Sequence, residues 1–208
     1  MYIPRYFHEQ DEEQLFTLME QHGFALLVTA EGGVPVASHL PFLVERGAPG
    51  SARLLGHMAR ANPQWRTFQQ GGEALVVFQG PHAYVSPSWY ASEPNVPTWN
   101  YAVVHAYGHP RLIEEPAEVL HLLRAVSAKY EAGRDRPWSL DQAEEYVHRI
   151  SAGIVAFEIR LTRLEGGLKL SQNRSEEDRR GVMEALERSP SANDREVAAL
   201  MRARETSR

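Results

Sequence analysis

Cationic, hydroxyl and amide side chains recur in four short segments of this sequence, each next to the end of an expected strand. The four groups are His57 with Arg60 and Asn62, Ser86 with Ser88, Thr98 with Asn100, and Lys169 with Ser171, Gln172 and Asn173. These residue types suit a phosphate monoester, because its charge must be met by charge-assisted hydrogen bonds. Aromatic side chains at positions 65, 89, 99 and 101 offer flat apolar surface for a fused ring. Together they predict a ligand that joins a phosphate to a planar ring, as a nucleotide does.

The sequence lacks the motifs of several other kinds of site. Neither G-x-x-x-x-G-K-[ST] nor G-x-G-x-x-G opens a helix, which disfavours a P-loop or Rossmann nucleotide site. There is no G-x-S-x-G elbow for a nucleophilic serine, and no cysteine for thiolate catalysis, thiolate metal sites or disulfides. His105 and His109 are four residues apart, but on a strand this spacing does not direct two imidazoles to one metal. A zinc site is therefore not expected, and no catalytic residue is assigned.

The segment from Val96 to His105 is the most unusual strand in the sequence. Pro97 has no N–H to donate, so a strand paired on both sides is expected to begin at Thr98. Positions 98, 100, 102, 104 and 106 then share one face, and positions 99, 101, 103, 105 and 107 share the other. The mixture of hydrogen-bonding groups and large rings is compatible with the wall of a ligand site. Taken alone, the segment favours the other interpretation, a packed antiparallel strand whose Trp and Tyr rings are buried while their polar atoms bond to the backbone.

The remaining pattern predicts a small antiparallel barrel edged with helices. Strands are expected over 24–29, 34–44, 53–58, 74–78 and 98–113, and over 153–164, with breaks at Gly80-Pro81 and Gly166-Gly167. Helices are expected from Asp11, from Pro116 and from Asp141, and two more follow Ser175, which with Asp178 resembles a helix start. Asn62 before Pro63 is a favourable N-cap and first-turn pair for a further short helix, which is expected to end at Gly71-Gly72.

Length, charge and hydropathy restrict the class of protein. With 208 residues, 43% of them hydrophobic, the chain can form one substantial core with a small helical appendage. A net charge of −5 gives no general attraction for nucleic acid or an anionic membrane. No apolar run approaches the roughly 18 residues of a membrane span, and the N-terminus has no signal segment, so a soluble cytoplasmic protein is expected. The tail from Arg174 to Arg208 carries eight arginines and eight acids, which does not favour a DNA-reading helix-turn-helix.

Four segments of the sequence resemble one known family. They are G-H-M-A-R-A-N-P-Q-W (56–65), Y-V-S-P-S-W-Y (84–90), V-P-T-W-N-Y (96–101) and K-L-S-Q-N-R (169–174), with further likeness at M-Y-I-P (1–4) and H-L-P-F (39–42). Together they look like the signature of the PaiB-type FMN-binding negative transcriptional regulators, and the likeness covers essentially the whole chain. The resemblance implies an α+β fold, a split antiparallel β-barrel of the flavin-reductase-like kind with peripheral and C-terminal helices. It also implies one FMN-binding domain over 1–208, with 175–208 as a helical extension, and a homodimer with flavin near the subunit interface.

The resemblance turns the polar clusters into an expected FMN site. Its cofactor-binding residues are expected to be His57, Arg60, Asn62, Ser86, Ser88, Thr98, Trp99, Asn100, Lys169, Ser171, Gln172 and Asn173. The phosphate is expected to contact Arg60, Lys169 and Ser171. The ring is expected to lie nearer Trp99, Asn100 and His57. Haem b is the alternative cofactor, with His57 as axial ligand, because haem-dependent piperazate synthases look like relatives and a neutral imidazole can ligate haem iron. The expected function is an FMN-binding negative regulator of transcription, acting indirectly, and the alternative is a flavin- or haem-dependent enzyme.

Overall fold

The secondary structure of the chain is dominated by long antiparallel strands. The computed structural model describes residues 1–48 and 50–206; Ser207 and Arg208 of the expected C-terminal extension lie outside these residues. The strands are β1 (His8–Glu9), β2 (Phe24–Glu31), β3 (Val34–Glu45), β4 (Arg53–Ala59), β5 (Ala74–Val85), β6 (Thr98–Ile113) and β7 (Ile154–Lys169). The α-helices are α1 (Glu12–Gln21), α2 (Pro116–Glu131), α3 (Glu144–Ile150), α4 (Glu176–Glu187) and α5 (Ala192–Thr206). Short 3-10 helices cover Arg5–Phe7, Pro63–Gln70, Pro87–Trp89, Leu140–Ala143 and Ser151–Gly153.

The strands form one seven-stranded sheet in the order β1-β7-β4-β3-β2-β5-β6. β7 also pairs with β6, so six of the strands are joined in a closed ring of neighbours. The β2–β3 hairpin is antiparallel from Phe24↔Pro41 to Glu31↔Val34. The β4–β7 pair is antiparallel from Arg53↔Arg160 to Ala59↔Ile154. The expected α+β fold, a split antiparallel β-barrel with peripheral and C-terminal helices, is confirmed.

The chain divides into two compact units. The first comprises Met1–Leu18, Gln79–Val104 and Glu165–Arg208, and the second comprises Met19–Phe78 and His105–Leu164. The C-terminal helices α4 and α5 therefore belong to the same unit as the N-terminal residues and the first half of β6. The expectation of one domain with a C-terminal extension stays a prediction.

Each unit has an apolar interior. In the first, α4 and α5 bury Val182, Leu186, Val197 and Met201 at helical spacing. In the second, the rings of Phe42 and Phe157 lie 6.1 Å apart, centroid to centroid. Gly56 lets these rings approach, because a Cβ at that position would lie 2.8 Å from the Phe157 ring.

Two expected strand breaks are wrong. β5 continues through Gly80-Pro81, where a Cβ on Gly80 would lie 3.1 Å from the carbonyl oxygen of Ala102. β7 continues through Gly166-Gly167, which pair with Glu9 and His8 of β1. A Cβ on Gly166 would lie 2.2 Å from the Leu15 side chain. In both places glycine marks a close approach within a strand rather than a turn.

The alternation predicted for β6 is confirmed. Residues 100, 102, 104 and 106 are buried, and the aromatic face is half-buried or exposed. The short helix after Asn62 is also present, with the Asn62 side chain accepting from the backbone N–H of Gln64 and with Gly71 left-handed at its end. Within residues 1–48 and 50–206, no helix has the length and apolar character needed to cross a membrane.

Candidate functional site

Lys169 is a half-buried cation at the end of β7 in the first unit. Its Nζ donates a hydrogen bond to Oγ1 of Thr98, the first residue of β6, and lies 5.9 Å from the centroid of the Phe7 ring. Burial lowers the pKa of Lys169, and the nearby positive charge of Arg174 lowers it further. In the described part of the chain Lys169 forms no ion pair. The ammonium group is therefore desolvated without a counter-anion, which is the condition that an anionic ligand relieves.

Arg174 supplies a second positive charge in the same unit. Its guanidinium carbon lies 4.7 Å from the centroid of the Tyr90 ring, and one of its nitrogens donates to Oδ1 of Asn95 at 2.6 Å. Among residues 1–48 and 50–206 it too has no carboxylate partner. Stacking and a neutral acceptor hold the guanidinium in place while its charge stays uncompensated.

Most of the other predicted residues in segment 169–173 have internal partners. Ser171 is hydrogen-bonded to the side chain of Asn100. The Gln172 side chain bonds back to its own segment, accepting from the backbone N–H of Leu170 at 2.6 Å and donating to the carbonyl of Leu168. Asn173 is exposed. The structure thus brings Thr98 with Lys169, and Asn100 with Ser171, into direct contact.

Trp99 lies in an exposed group of rings. Its indole is 52% exposed, and its centroid lies 5.9 Å from that of Tyr84 in an edge-to-face arrangement. The His82 ring lies 6.2 Å from it. Rings that pack while leaving half their surface to solvent offer a platform for a planar ligand.

Ser86 and Ser88 shape the turn that follows β5. Their hydroxyl groups lie 2.8 Å apart, and the Ser86 side chain caps the 3-10 helix Pro87–Trp89 by accepting from the N–H of Ser88. Asp178 of α4 accepts hydrogen bonds from residues 91 and 92 just beyond this turn. The sequence signal at Ser175 and Asp178 indicates only a helix start, so this second role of Asp178 was missed.

His57 lies on β4 in the second unit, opposite Ala156 of β7. Burial lowers its pKa, so the imidazole is neutral at pH 7. Its Nδ1 atom is buried and has no hydrogen-bond partner among the described residues. A neutral, unpartnered ring nitrogen is available as an acceptor or a ligand.

Arg60 is tied to the backbone at the start of β7 in the second unit. Its guanidinium donates to the carbonyl oxygens of Ala152 and Ile154, each at 2.8 Å, and its carbonyl accepts from the Trp65 indole. Asn62 has a structural partner besides the helix N–H, since it donates to Oγ of Ser38 at 2.8 Å. The joint role of Arg60, Lys169 and Ser171 at one phosphate stays a prediction, because Arg60 belongs to a different unit from the other two.

Arg60 also lines a cleft of about 530 Å³ within the second unit. Its lining residues are Arg60, Trp65, Gln69, Leu112, Ile113, Glu114, Pro116, Val119, His148, Ser151, Ala152, Ile154, Val155 and Ala156. The volume falls in the range of small-molecule sites, and the lining combines apolar side chains with a few polar ones.

Residues 1–163 match a family model described as "Putative FMN-binding domain". The chain belongs to this family. It is 41% identical to the "Protease synthase and sporulation protein PAI 2" of Bacillus subtilis over 202 residues, which are 97% of this chain and 96% of that protein. The resemblance to the PaiB-type proteins is therefore confirmed as a family relationship.

Solved structures of other members of the fold are similar to this one. The flavocytochrome Anf3 of Azotobacter vinelandii has a TM-score of 0.59 at 18% identity, covering 85% of this chain and 77% of that one. The FAD and haem binding protein of Mycobacterium smegmatis has a TM-score of 0.56 at 19% identity, covering 78% and 73%. At these identities, the likeness shows that this chain has the same split-barrel fold as these two proteins.

Proposed function

We propose that this chain binds FMN and acts as a flavin-containing negative regulator of transcription. The observation that carries the proposal is the pair of uncompensated cations in the first unit, Lys169 and Arg174. Thr98 contacts Lys169 directly, and Trp99, on the other face of β6 at the same end of the strand, belongs to an exposed ring cluster. A phosphate requires charge-assisted donors and an isoalloxazine requires a flat apolar surface, so the two faces at this end of β6 carry the residue types that FMN needs.

The chain's own residues have binding and orienting roles in this proposal. Lys169 and Arg174 neutralise the phosphate, the Thr98 hydroxyl holds the ammonium group, and the rings beside Trp99 exclude water from the flavin. The bound cofactor would supply electron-transfer chemistry that no side chain of this protein provides. Arg60 remains a predicted phosphate contact, and its removal is part of the test.

Equilibrium titration with FMN, followed by flavin fluorescence, tests this assignment. We expect micromolar or tighter binding, weakened at least tenfold in Lys169→Gln because a charge-assisted contact is lost. The chain's other lysine provides the matched control, since Lys129 is also half-buried but lies beside Tyr130 in the second unit. Lys129→Gln should bind FMN as the wild type does. Absence of binding at about 100 μM FMN, or equal affinities in the two variants, would refute the proposal.

A companion pair of variants tests Arg60. Arg60→Ala should weaken FMN binding if its guanidinium also meets the phosphate, and Arg66→Ala is the control. Arg66 is an exposed arginine beside the same indole, with its guanidinium carbon 5.7 Å from the Trp65 ring centroid. Equal FMN affinities in the two variants would remove Arg60 from the site.

The regulatory part of the proposal draws on the family relationship. The Bacillus subtilis relative carries a name that links it to protease synthesis and sporulation. For this chain we infer repression without direct reading of DNA, through flavin-linked chemistry or a protein partner. A flavin-dependent oxidoreductase is the alternative, and turnover of a reduced nicotinamide by the FMN-loaded protein would favour it.

Haem b is a second candidate cofactor, favoured by one observation. The buried Nδ1 of His57 has no hydrogen-bond partner among the described residues, and its imidazole is neutral at pH 7. Two structures with the same fold are described as a flavocytochrome and as an FAD and haem binding protein. Neutral imidazole is a suitable axial ligand.

An absorption spectrum after haem addition tests this candidate. A Soret band that shifts or is lost in His57→Ala, and persists in His109→Ala, would support His57 as ligand; His109 is an exposed histidine on β6. A Soret band identical in the wild type and in His57→Ala would exclude it.

A further inference from the structure

Helices α4 and α5, with their connection, form a C-terminal hairpin over residues 175–206. The family model matches only residues 1–163, so the hairpin lies beyond the matched part of the chain. Within the first unit, the hairpin contacts two segments that carry predicted FMN-binding residues, and a third residue that packs against one. The two segments are 86–92, which contains Ser86 and Ser88, and Asn100 on β6; the third contact is with His82, which packs against Trp99.

Asp178 is the strongest of these connections. It is buried, and one carboxylate oxygen accepts from the backbone N–H groups of Ala91 and Ser92 at 2.9 and 3.0 Å. The other oxygen accepts from the Ser92 hydroxyl at 2.7 Å. Ser175 is the N-cap of α4 and Asp178 is the third residue of the helix, and the Ser175 hydroxyl accepts from the Asp178 N–H. The acidic side chain of such a capping pair ordinarily accepts from the backbone N–H of the N-cap residue, and here it binds the 86–92 segment instead.

Gly181 makes a second connection one turn further along α4. A Cβ at this position would lie 2.2 Å from the carbonyl oxygen of Trp89. Only glycine lets the helix and the backbone of this segment come so close. A glycine at this position is unfavourable for the helix itself, since glycine lowers helix stability relative to alanine.

Helix α5 holds the other two segments. The Asn193 side chain brackets the backbone of His82, accepting from its N–H at 3.3 Å and donating to its carbonyl at 2.6 Å. The sulfur of Met201 lies 3.5 Å from the amide nitrogen of Asn100. The hairpin is thus fixed to the β5 and β6 residues on either side of the 86–97 connection.

We infer that the C-terminal hairpin positions the FMN site, with Asp178 holding the 86–92 segment in its binding conformation. This inference rests on the proposed FMN binding. Asp178 is a positioning residue: it reaches the ligand only through the segment that it holds. Loss of its carboxylate frees three donors at once at residues 91 and 92, so the adjoining turn that carries Ser86 and Ser88 is no longer anchored to α4 by this carboxylate, while the strands stay paired.

The chain contains a matched control for Asp178. Asp194 occupies the corresponding position of α5, with Ser191 as capping residue, and its carboxylate accepts from the Ser189 hydroxyl. It therefore supports a helix start in the same hairpin without contacting a site segment. Asp178→Ala and Asp194→Ala remove the same group from equivalent helix positions.

Two measurements on the full chain test the inference. Amide hydrogen exchange without FMN should accelerate at residues 91 and 92 by tenfold or more in Asp178→Ala and not in Asp194→Ala. FMN affinity should fall by about tenfold in Asp178→Ala, with Asp178→Asn close to the wild type because its side-chain oxygen still accepts from both N–H groups. Faster exchange with unchanged FMN affinity would overturn the inference. Unchanged exchange would overturn it as well.

The outcomes separate this inference from the proposed function. A wild-type chain that fails to bind FMN refutes the function, and exchange at 91 and 92 still shows whether the hairpin holds the segment. Gly181→Ala provides a second variant that strengthens the helix itself. We expect the clash of its Cβ with the Trp89 carbonyl to weaken FMN binding and to lower thermal stability despite the better helix propensity of alanine, and an unaltered FMN affinity would contradict the positioning role of the hairpin.

Discussion

Asn100 and Ser171 satisfy each other's side-chain hydrogen bonds in the interior of the first unit. The Asn100 amide donates to the Ser171 hydroxyl at 2.9 Å, and that hydroxyl donates back to Oδ1 at 3.2 Å. Asn100 is fully buried and Ser171 is 3% exposed. Ser171 also has a left-handed backbone, with φ at +62°. The pair joins β6 to the segment after β7 and so fixes where Lys169 lies.

Replacing Ser171 by alanine should destabilise the protein. The change leaves the buried Asn100 amide with an unsatisfied group, which costs about 1–3 kcal/mol. Ser171→Gly loses the same hydrogen bond but adopts the left-handed backbone without strain, so it should be about 1 kcal/mol more stable than Ser171→Ala. Urea unfolding of the two variants measures this difference. A glycine variant no more stable than the alanine variant would show that φ at residue 171 is not what distinguishes them.

FMN affinity should decline as the pH rises above neutrality. Burial, and then the charge of Arg174, lower the pKa of Lys169, so its ammonium loses its proton at a lower pH than an ordinary lysine. The contact with phosphate weakens as the pH passes through that lowered value. In Lys169→Arg the group stays charged, and the decline should be absent. Titrations between about pH 7 and 10 make the comparison, and parallel profiles for the two proteins would rule out Lys169 as the titrating group.

The sequence was informative wherever the local pattern and the packing impose the same requirement. Alternation predicted both faces of β6, and Asn62-Pro63 predicted a capped short helix. The prediction of strand breaks at Gly80 and Gly166 failed, because a glycine required by a close neighbour looks the same in sequence as a glycine required by a turn. The neighbours are Ala102 and Leu15, which lie far along the chain.

The candidate site was predictable in its residue types and only partly in its contacts. Thr98 and Lys169 were each recognised in a motif of their own. Their hydrogen bond was not predicted, because it depends on where β6 begins and where β7 ends in the fold. Asp178 was visible as a capping residue, but nothing in the sequence indicates that its carboxylate binds residues 91 and 92. Side-chain contacts between segments some 80 residues apart require the fold itself.

Glu158 should make folding stability depend on pH. Its carboxylate is buried in the second unit and accepts from Arg53 at 2.7 Å and from Arg111 at 3.0 Å. Burial alone would raise the pKa of Glu158, but the hydrogen bonds and charges of the two arginines outweigh it, and the pKa is lowered. Its contribution is therefore fully present above the unfolded-state pKa and is lost as the pH falls through the lower folded-state value.

The variant Glu158→Gln tests this contribution. We expect a loss of about 2 kcal/mol at pH 7, less than for a fully buried ion pair because the guanidinium groups face solvent. The loss should shrink towards zero in acid. Glu45→Gln is the control, since Glu45 is a half-exposed partner of Arg53 and its removal should cost less than about 1 kcal/mol. A loss for Glu158→Gln that is the same at pH 7 and in acid would contradict the assignment.

The protein should be a homodimer in solution. The half-exposed rings of Trp99 and Tyr84 need a second surface to enclose a flavin, and Phe24 and Val34 of the β2–β3 hairpin are exposed apolar residues. Sedimentation equilibrium should give twice the chain mass of 23.5 kDa. A clean monomer at micromolar concentration would contradict both the dimer and a flavin site shared between subunits.

Direct binding of specific DNA should be weak. Helix α4 has five acidic residues and two arginines, and α5 has three of each. Arg202 and Arg204 of α5 are paired with Glu187 and Glu9. Displacement of condensed counterions requires Lys and Arg free on one face, which these helices do not offer.

A mobility-shift titration with the protein's own promoter measures this at about 150 mM salt. We expect no specific complex below micromolar protein, whereas a dedicated repressor binds its operator at about 10 nM or tighter. The FMN-loaded protein must be tested beside the apoprotein, because a cofactor that orders the site could change the accessible charge. A footprint on a defined operator at nanomolar protein would show that repression is direct. It would place the DNA-binding surface outside α4 and α5, because α4 carries an excess of acids and the arginines of α5 are balanced by its own acids.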